Sequence, residues 1–310
     1  MLKVQVNSQG KIYADNDSLL MMDDGSKYGA SVDALLGDIN ANGVLQAPSG
    51  QADLVFTGVE DMAGAALTYK FYRNTGIHSV SFPNLAMFTG SESLLSSFRN
   101  CSGLTSISFP ELTTISGDSV MTNCFRSTAL TSVLLPELTT ISGNSGMQQC
   151  FYGCNALTSA SLPKLTTVSG GNGIQYCFYG CTALTSVLLP ELTTISGNSG
   201  MTNCFQGCKA LTSVSFPKLT TISGSNGMLY CFQGCKALTS VSFPALTTTS
   251  FGSSYTNQFN NMLFSTDTNV THTIHFPSNL QTTISGLTGY PTFGGTSGYV
   301  TLAFDLPATS

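Results

Sequence analysis

One period organises most of this chain. Phe71, Phe98, Phe125, Phe151, Phe178, Phe205, Phe232 and Phe259 follow one another in steps of 27 residues, broken once by a step of 26. Pro83, Pro110, Pro136, Pro163, Pro190, Pro217, Pro244 and Pro277 form a second column, which takes eight of the eleven prolines. The unit from Cys204 to Gly224 returns almost unchanged from Cys231. A unit of this length is too small to bury its own apolar side. Stacked units share one continuous core, so the repeat predicts a solenoid.

Each coil reads physically. Leu211–Phe216 alternates and predicts a short strand, with Val214 and Phe216 on one face and Ser213 and Ser215 on the other. Pro217 ends that strand because it has no N–H for a ladder. Leu219 and Ile222 are the next inward residues. Asn226-Gly227 marks a turn. Met228, Cys231, Phe232 and Cys235 then bring the chain back through the core in a short helical or 3₁₀ turn. The expected fold is a β-rich right-handed superhelix with one parallel strand per coil, capped at both ends. The ends are atypical, as terminal coils are. Asp53–Phe56 is read as a degenerate first coil, Thr273–Pro277 as a restored strand, and Val300–Asp305 as a last strand closing the open end.

Charge divides the chain further. Residues 1–61 hold nine acids and three Lys, whereas residues 62–310 hold seven acids and eight bases. The expected organisation is an acidic N-terminal segment over 1–50, serving as anchor, cap or oligomerisation element, a solenoid over 51–276 and a C-terminal cap over 277–310. Charged residues make up only 9 % of the chain, and Ser and Thr about a quarter. A net charge of −5 excludes a broad basic surface, hence a nucleic-acid partner. No apolar run is long enough for membrane insertion. No secretory signal is visible in residues 1–7, which alternate polar and apolar side chains.

Leu211, Val214, Phe216, Pro217, Leu219, Ile222, Phe232 and Cys235 resemble the coil of the BspA-like leucine-rich repeats of bacterial surface proteins. The resemblance covers about residues 50–290 and implies a leucine-rich-repeat solenoid. This chain departs from the family pattern by its extra Gly/Ser/Asn loop residues and by Cys in place of Ala before Phe in five coils. For function, the resemblance implies attachment to host or cell-surface molecules and supplies no catalytic residues. Thr273–Pro307 also looks like a tail found on repeat proteins of gut bacteria and their phages.

The ten cysteines fall in two columns, at 124, 150, 177, 204 and 231 before Phe, and at 101, 154, 181, 208 and 235 after it. They lack the CxxC spacing and the nearby His of a zinc site. Stacked neighbours about 4.8 Å apart sit farther apart than the roughly 3.8 Å between Cβ atoms that a disulfide prefers. The reading is a ladder of small buried thiols. His272 and His275 are spaced to face opposite sides of a strand, and a position on the strand surface is expected for them. Motifs for phosphate binding, zinc hydrolysis or a nucleophile elbow are missing. The chain is therefore read as non-enzymatic, with no catalytic residue, metal or cofactor. After the proline, Glu111, Glu137, Lys164, Glu191 and Lys218 alternate in sign from 137 onward, which favours coil registry.

Columns that vary between coils are free of the packing constraint. The residue after Phe is Tyr72, Arg99, Arg126, Tyr152, Tyr179, Gln206, Gln233 and Asn260. The residue before the first Cys is Asn123, Gln149, Tyr176, Asn203 and Tyr230. Tyr and Arg are enriched at interface anchors. Tyr72, Arg99, Arg126, Tyr152, Tyr176, Tyr179 and Tyr230 are therefore the candidate partner-binding residues. The competing surface is the strand face, a flat Ser array with Leu134 and Leu188 exposed. The functional expectation is an adhesin-like scaffold binding a protein or glycan, located outside the cell or on its surface. The alternative is a virion structural component, a phage fibre or head decoration, and flanking genes would separate the two.

Overall fold

The structure is a computed structural model. It describes residues 5–6, 12–13, 52–56, 61–62, 67–247, 271–286, 290–291 and 300–308. Residues 5–6 pair antiparallel with 12–13. The rest of the acidic N-terminal segment lies outside the described residues, and so do the anchor and oligomerisation roles expected of it. Phe259, Asn260 and the insertion around them fall outside as well.

The repeat is a parallel β-solenoid, and each coil contributes three walls. The first is the expected strand of three or so residues, such as Ser213–Ser215 pairing in register with Ser240–Ser242. Both predicted end strands join this wall. Ala52–Val55 lies parallel to Ile77–Ser81, and Val300–Leu306 lies parallel to His272–Pro277. A second wall was not expected from sequence. Two-residue strands at 87–88, 114–115, 140–141, 167–168, 194–195 and 221–222 form one six-stranded parallel sheet. Inward Ile115, Ile141, Val168, Ile195 and Ile222 in this wall are fully buried.

The third wall is the turn segment that returns through the core, and its backbone alternates. Met121, Asn123, Phe125 and Ser127 donate their N–H groups to Gly146, Gln148, Cys150 and Tyr152, one coil later. The residues between them, Thr122, Cys124 and Arg126, donate to carbonyls three positions back, as in a 3₁₀ turn. Every fourth residue is left-handed, as at Ser119, Asn123 and Ser127, with φ of 55°. Such a conformation costs roughly 1–2 kcal/mol per non-glycine residue. The hydrogen bonds along the stack offset it, since each amide turned toward the neighbouring coil finds a carbonyl there.

The Phe column fills the space between the walls. Rings from Phe71 to Phe232 stack at centroid separations of 5.0 to 5.7 Å with planes within 14°. A second ladder runs through the residue before Pro. It is aromatic at Phe82 and Phe109 and again at Phe216, Phe243 and Phe276, with Leu135, Leu162 and Leu189 between, and Phe56, which no proline follows, extends it by stacking on Phe82. The 26-residue coil loses its residue between Phe125 and Leu130. There Thr128 occupies the second Cys position and bonds both the Phe125 carbonyl, at 2.9 Å, and Cys154 Sγ, at 3.3 Å.

All ten thiols are free and buried, as the ladder reading expects. The second column also has a hydrogen-bonding role. Cys101, Cys181, Cys208 and Cys235 donate to the carbonyls of Phe71, Phe151, Phe178 and Phe205, at 3.0 to 3.2 Å. Burial pushes the thiols up from their ordinary value of 9.0, to about 12 at Cys101 and Cys235. These thiols stay protonated in the folded chain above pH 9, whereas the unfolded chain loses its protons there. Stability is therefore full below pH 9 and falls as pH rises toward 12. Thermal melts from pH 8 to pH 11 are expected to show a falling midpoint. Cys101→Ala/Cys235→Ala is expected to flatten that fall while lowering the midpoint at pH 8.

The post-proline column pairs as its signs suggest. Lys164 Nζ lies 2.6 Å from Glu137, and Lys218 Nζ lies 2.6 Å from Glu191. Both pairs are exposed, so each contributes about 0–1 kcal/mol, mostly to registry. The histidines require a correction. They do face opposite sides, but His272 is buried and places Nδ1 2.5 Å from the Leu238 carbonyl oxygen. Inward Ile274 and Phe276 set the strand's parity, and a period of two carries His272 inside with them. His275 faces outward and meets Asp305 at 3.0 Å, joining the last two described strands.

Candidate functional site

The outer side of the turn wall carries the variable columns. Phe points inward, so the next residue points outward, and coils in register place these outward side chains directly over one another. Small residues at such positions leave a smooth surface. Large planar ones stack into a second, external ladder.

Tyr152 and Tyr179 stack with centroids 4.5 Å apart and planes 11° apart. The Arg126 guanidinium caps the Tyr152 ring, its Cζ 4.1 Å from the centroid. That guanidinium also donates to Gln149 Oε1 at 2.6 Å and Asn123 Oδ1 at 3.2 Å. Tyr176 tilts against Tyr179 at 5.8 Å. Beyond Tyr179 the ladder continues in amides: Asn203 Nδ2 donates to Gln206 Oε1 at 2.5 Å, and Gln206 donates to Gln233. Partial burial, and then the neighbouring Tyr179, raise the Tyr152 phenol above its ordinary pKa, against the opposing pull of Arg126.

These side chains line an open groove of about 580 Å³ that crosses five coils. Of the seven residues singled out from sequence, Arg126, Tyr152, Tyr176, Tyr179 and Tyr230 lie in it together. Tyr72 and Arg99 do not line it. They continue the same column toward the N-terminal coils, with Arg99 Cζ 5.8 Å from the Tyr72 centroid. The groove's amides, Gln149, Asn203, Gln206 and Gln233, fall outside the Tyr and Arg enrichment of interface anchors. They occupy the same two columns, so column membership was the signal that could have found them. Arg73 was also missed. It sits one residue past the column, with its Cζ 5.1 Å from the Tyr72 centroid.

The strand face is flatter. Leu134 and Leu188 are exposed, as expected, with Ser161 between them in the ladder.

The BspA type Leucine rich repeat region matches the chain in six copies, over residues 67–200 and 119–286. The chain belongs to the BspA-type leucine-rich repeat family. It is a leucine-rich repeat scaffold in which the repeat supplies the walls described above. Among solved structures it is similar to a leucine-rich repeat protein from Bacteroides ovatus ATCC 8483, at 20 % identity and a TM-score of 0.42, over 81 % of this chain and 60 % of that one. The T. pallidum Leucine Rich Repeat protein is 18 % identical at a TM-score of 0.37, over 80 % and 86 %. A leucine rich cell surface protein from Faecalibacterium prausnitzii A2-165 is 14 % identical at a TM-score of 0.25, over 80 % and 79 %. The chain thus spans 60 % of the length of the Bacteroides ovatus protein. No curated protein matches it.

Proposed function

We propose that this leucine-rich repeat chain is a non-enzymatic docking scaffold that holds a protein or glycan of a cell surface along the groove between Arg126 and Gln233. The observation that carries this reading is the external ladder itself. In a chain of which Ser and Thr make up about a quarter, large planar side chains from five successive coils converge on one concavity. Aromatic and amide groups combine contact area with hydrogen bonding at a small entropic cost, because their side chains are already held by one another. A rigid solenoid extends that surface along its axis. The BspA-type repeat supports an adhesin-like role at the cell surface.

The test is binding of the full chain to an immobilised panel of surface glycans and surface proteins. Tyr152→Ala/Tyr179→Ala is expected to weaken whatever binds by roughly tenfold to a thousandfold, as removal of paired aromatic anchors does. Retained affinity in that double variant would remove the groove as the docking surface.

A further inference from the structure

The chain has only three arginines, Arg73, Arg99 and Arg126, and the fold brings all three to one end of the external ladder. They come from three successive coils. Arg73 and Arg99 both lie against the Tyr72 ring, and Arg126 lies against Tyr152. Every other cation of the chain is a lysine. Among the described residues, no carboxylate lies within ion-pair distance of any of the three guanidinium groups, whereas Lys164 and Lys218 each have one. Arg99 Nε is buried without an acceptor. Like charges one coil apart repel, and among the described residues the cluster is held by aromatic and amide partners with no carboxylate beside it. Guanidinium is also the group whose planar fork matches the two oxygens of a carboxylate or sulfate.

We propose that the outer ladder from Arg73 through Arg99 to Arg126, which leads into the groove at Arg126, binds an acidic glycan, with these guanidinium groups meeting its carboxylate or sulfate groups. The proposal rests on the docking reading above and names the class of partner. Two features favour a glycan over an acidic peptide. Past Arg126 the groove offers phenol and amide groups and no further cation, which suits a ligand with an anionic group followed by a run of hydroxyls. The groove is also lined by no aliphatic residue, so it holds no pocket for the apolar anchors on which peptide partners usually rely. The chain's net charge of −5 argues against indiscriminate attraction of polyanions, leaving recognition to the local cluster.

The experiment measures binding of the full chain to four immobilised polymers: a sulfated polysaccharide, a uronic-acid polysaccharide, a neutral polysaccharide and poly-glutamate. Binding to one or both acidic polysaccharides is expected, weaker at high salt, with the two arms distinguishing sulfate from carboxylate. Arg99→Gln/Arg126→Gln is expected to weaken it roughly tenfold to a hundredfold, in line with the loss of charged hydrogen bonds. Arg99→Lys/Arg126→Lys, which keeps the charge and loses the fork, should fall between. Lys209→Gln/Lys236→Gln, which removes the same charge outside the cluster, should leave binding unchanged. Equal loss in the Lys209/Lys236 pair would reduce the effect to net charge and overturn the proposal. Equal or tighter binding of poly-glutamate would overturn the choice of glycan. Binding of a neutral glycan or a protein that depends on Tyr152 and Tyr179 and ignores the arginines would overturn the acidic class while leaving the docking reading intact. Acidic-glycan binding that survives both the arginine and the tyrosine substitutions would remove both. A melting curve like that of the wild type accompanies each variant, so that loss of binding is not loss of fold.

Discussion

Gly197→Ala is expected to cost about 3 kcal/mol or more, read as a lowered urea midpoint, because it leaves no room for a methyl group between two backbones. A Cβ built on Gly197 lies 1.9 Å from the carbonyl oxygen of Gly170. The same contact recurs at Gly143, Gly170 and Gly224, where the nearest atom is the carbonyl oxygen of the preceding glycine, at 1.9 to 2.0 Å. That oxygen belongs to a coil which is itself pinned by the glycine before it, so neither side can give way cheaply. Ordinary overpacking costs about 1–3 kcal/mol when side chains can rearrange. Here only main chain can move, and moving it breaks the bonds from Ser196 and Gly200. Gly180→Ala provides the comparison. Gly180 is left-handed, with φ of +70°, but a Cβ there meets nothing within 4 Å. Its cost should be about 1 kcal/mol. Hydrogen exchange should locate the Gly197→Ala damage in the coils between residues 170 and 224. If the two substitutions prove equally mild, the close stacking of the glycine column is wrong.

This contrast also shows what was legible in the sequence. The repeat points to the solenoid because Phe and Pro each hold one column and Cys holds two, and a position that recurs so regularly must meet a constant environment. The strand Leu211–Phe216 and the strand at Val300 followed from alternation alone. The two-residue strands at Thr221–Ile222 and its equivalents did not. A run that short carries no period, and their pairing depends entirely on the neighbouring coil. The alternating backbone of the turn wall was hidden for the same reason. Asn123, Gln149, Tyr176, Asn203 and Tyr230 adopt left-handed conformations that no local preference of Tyr or Gln dictates. The stack imposes them. The candidate groove was half legible. Variation between coils exposed its columns, while the pairing of Asn203, Gln206 and Gln233 into one polar floor emerged only in three dimensions. His272 was misplaced for want of one step, since the parity that buries Ile274 and Phe276 also buries it.

Removing one rung of the inner ladder is expected to have the second large effect. Phe205 is fully buried, and its ring stacks on Phe178 at 5.5 Å and on Phe232 at 5.6 Å. Phe205→Ala should cost about 3–5 kcal/mol, from lost transfer energy and from a cavity that walls bonded along the stack cannot close. In a solenoid the loss is local, because each coil touches only its neighbours and stability is a sum of coil and interface terms. The array should therefore part at this rung. The expected sign is a urea transition that is broader as well as earlier, with protection lost first in the coils flanking residue 205. Tyr179→Ala removes a stacked ring of similar size from the outer ladder, yet that ring is half-buried and bordered by solvent. Its cost should be about 0.5–1.5 kcal/mol, the usual worth of an aromatic pair. The difference between the two bears on function. An inner ring that cannot be spared is support. An outer ladder that can be removed at little cost to the fold is maintained by something other than stability, and a docked partner is what its groove would serve. Should Tyr179→Ala prove as destabilising as Phe205→Ala, the outer ladder is support too, and the binding loss expected of Tyr152→Ala/Tyr179→Ala would report only an unfolded coil.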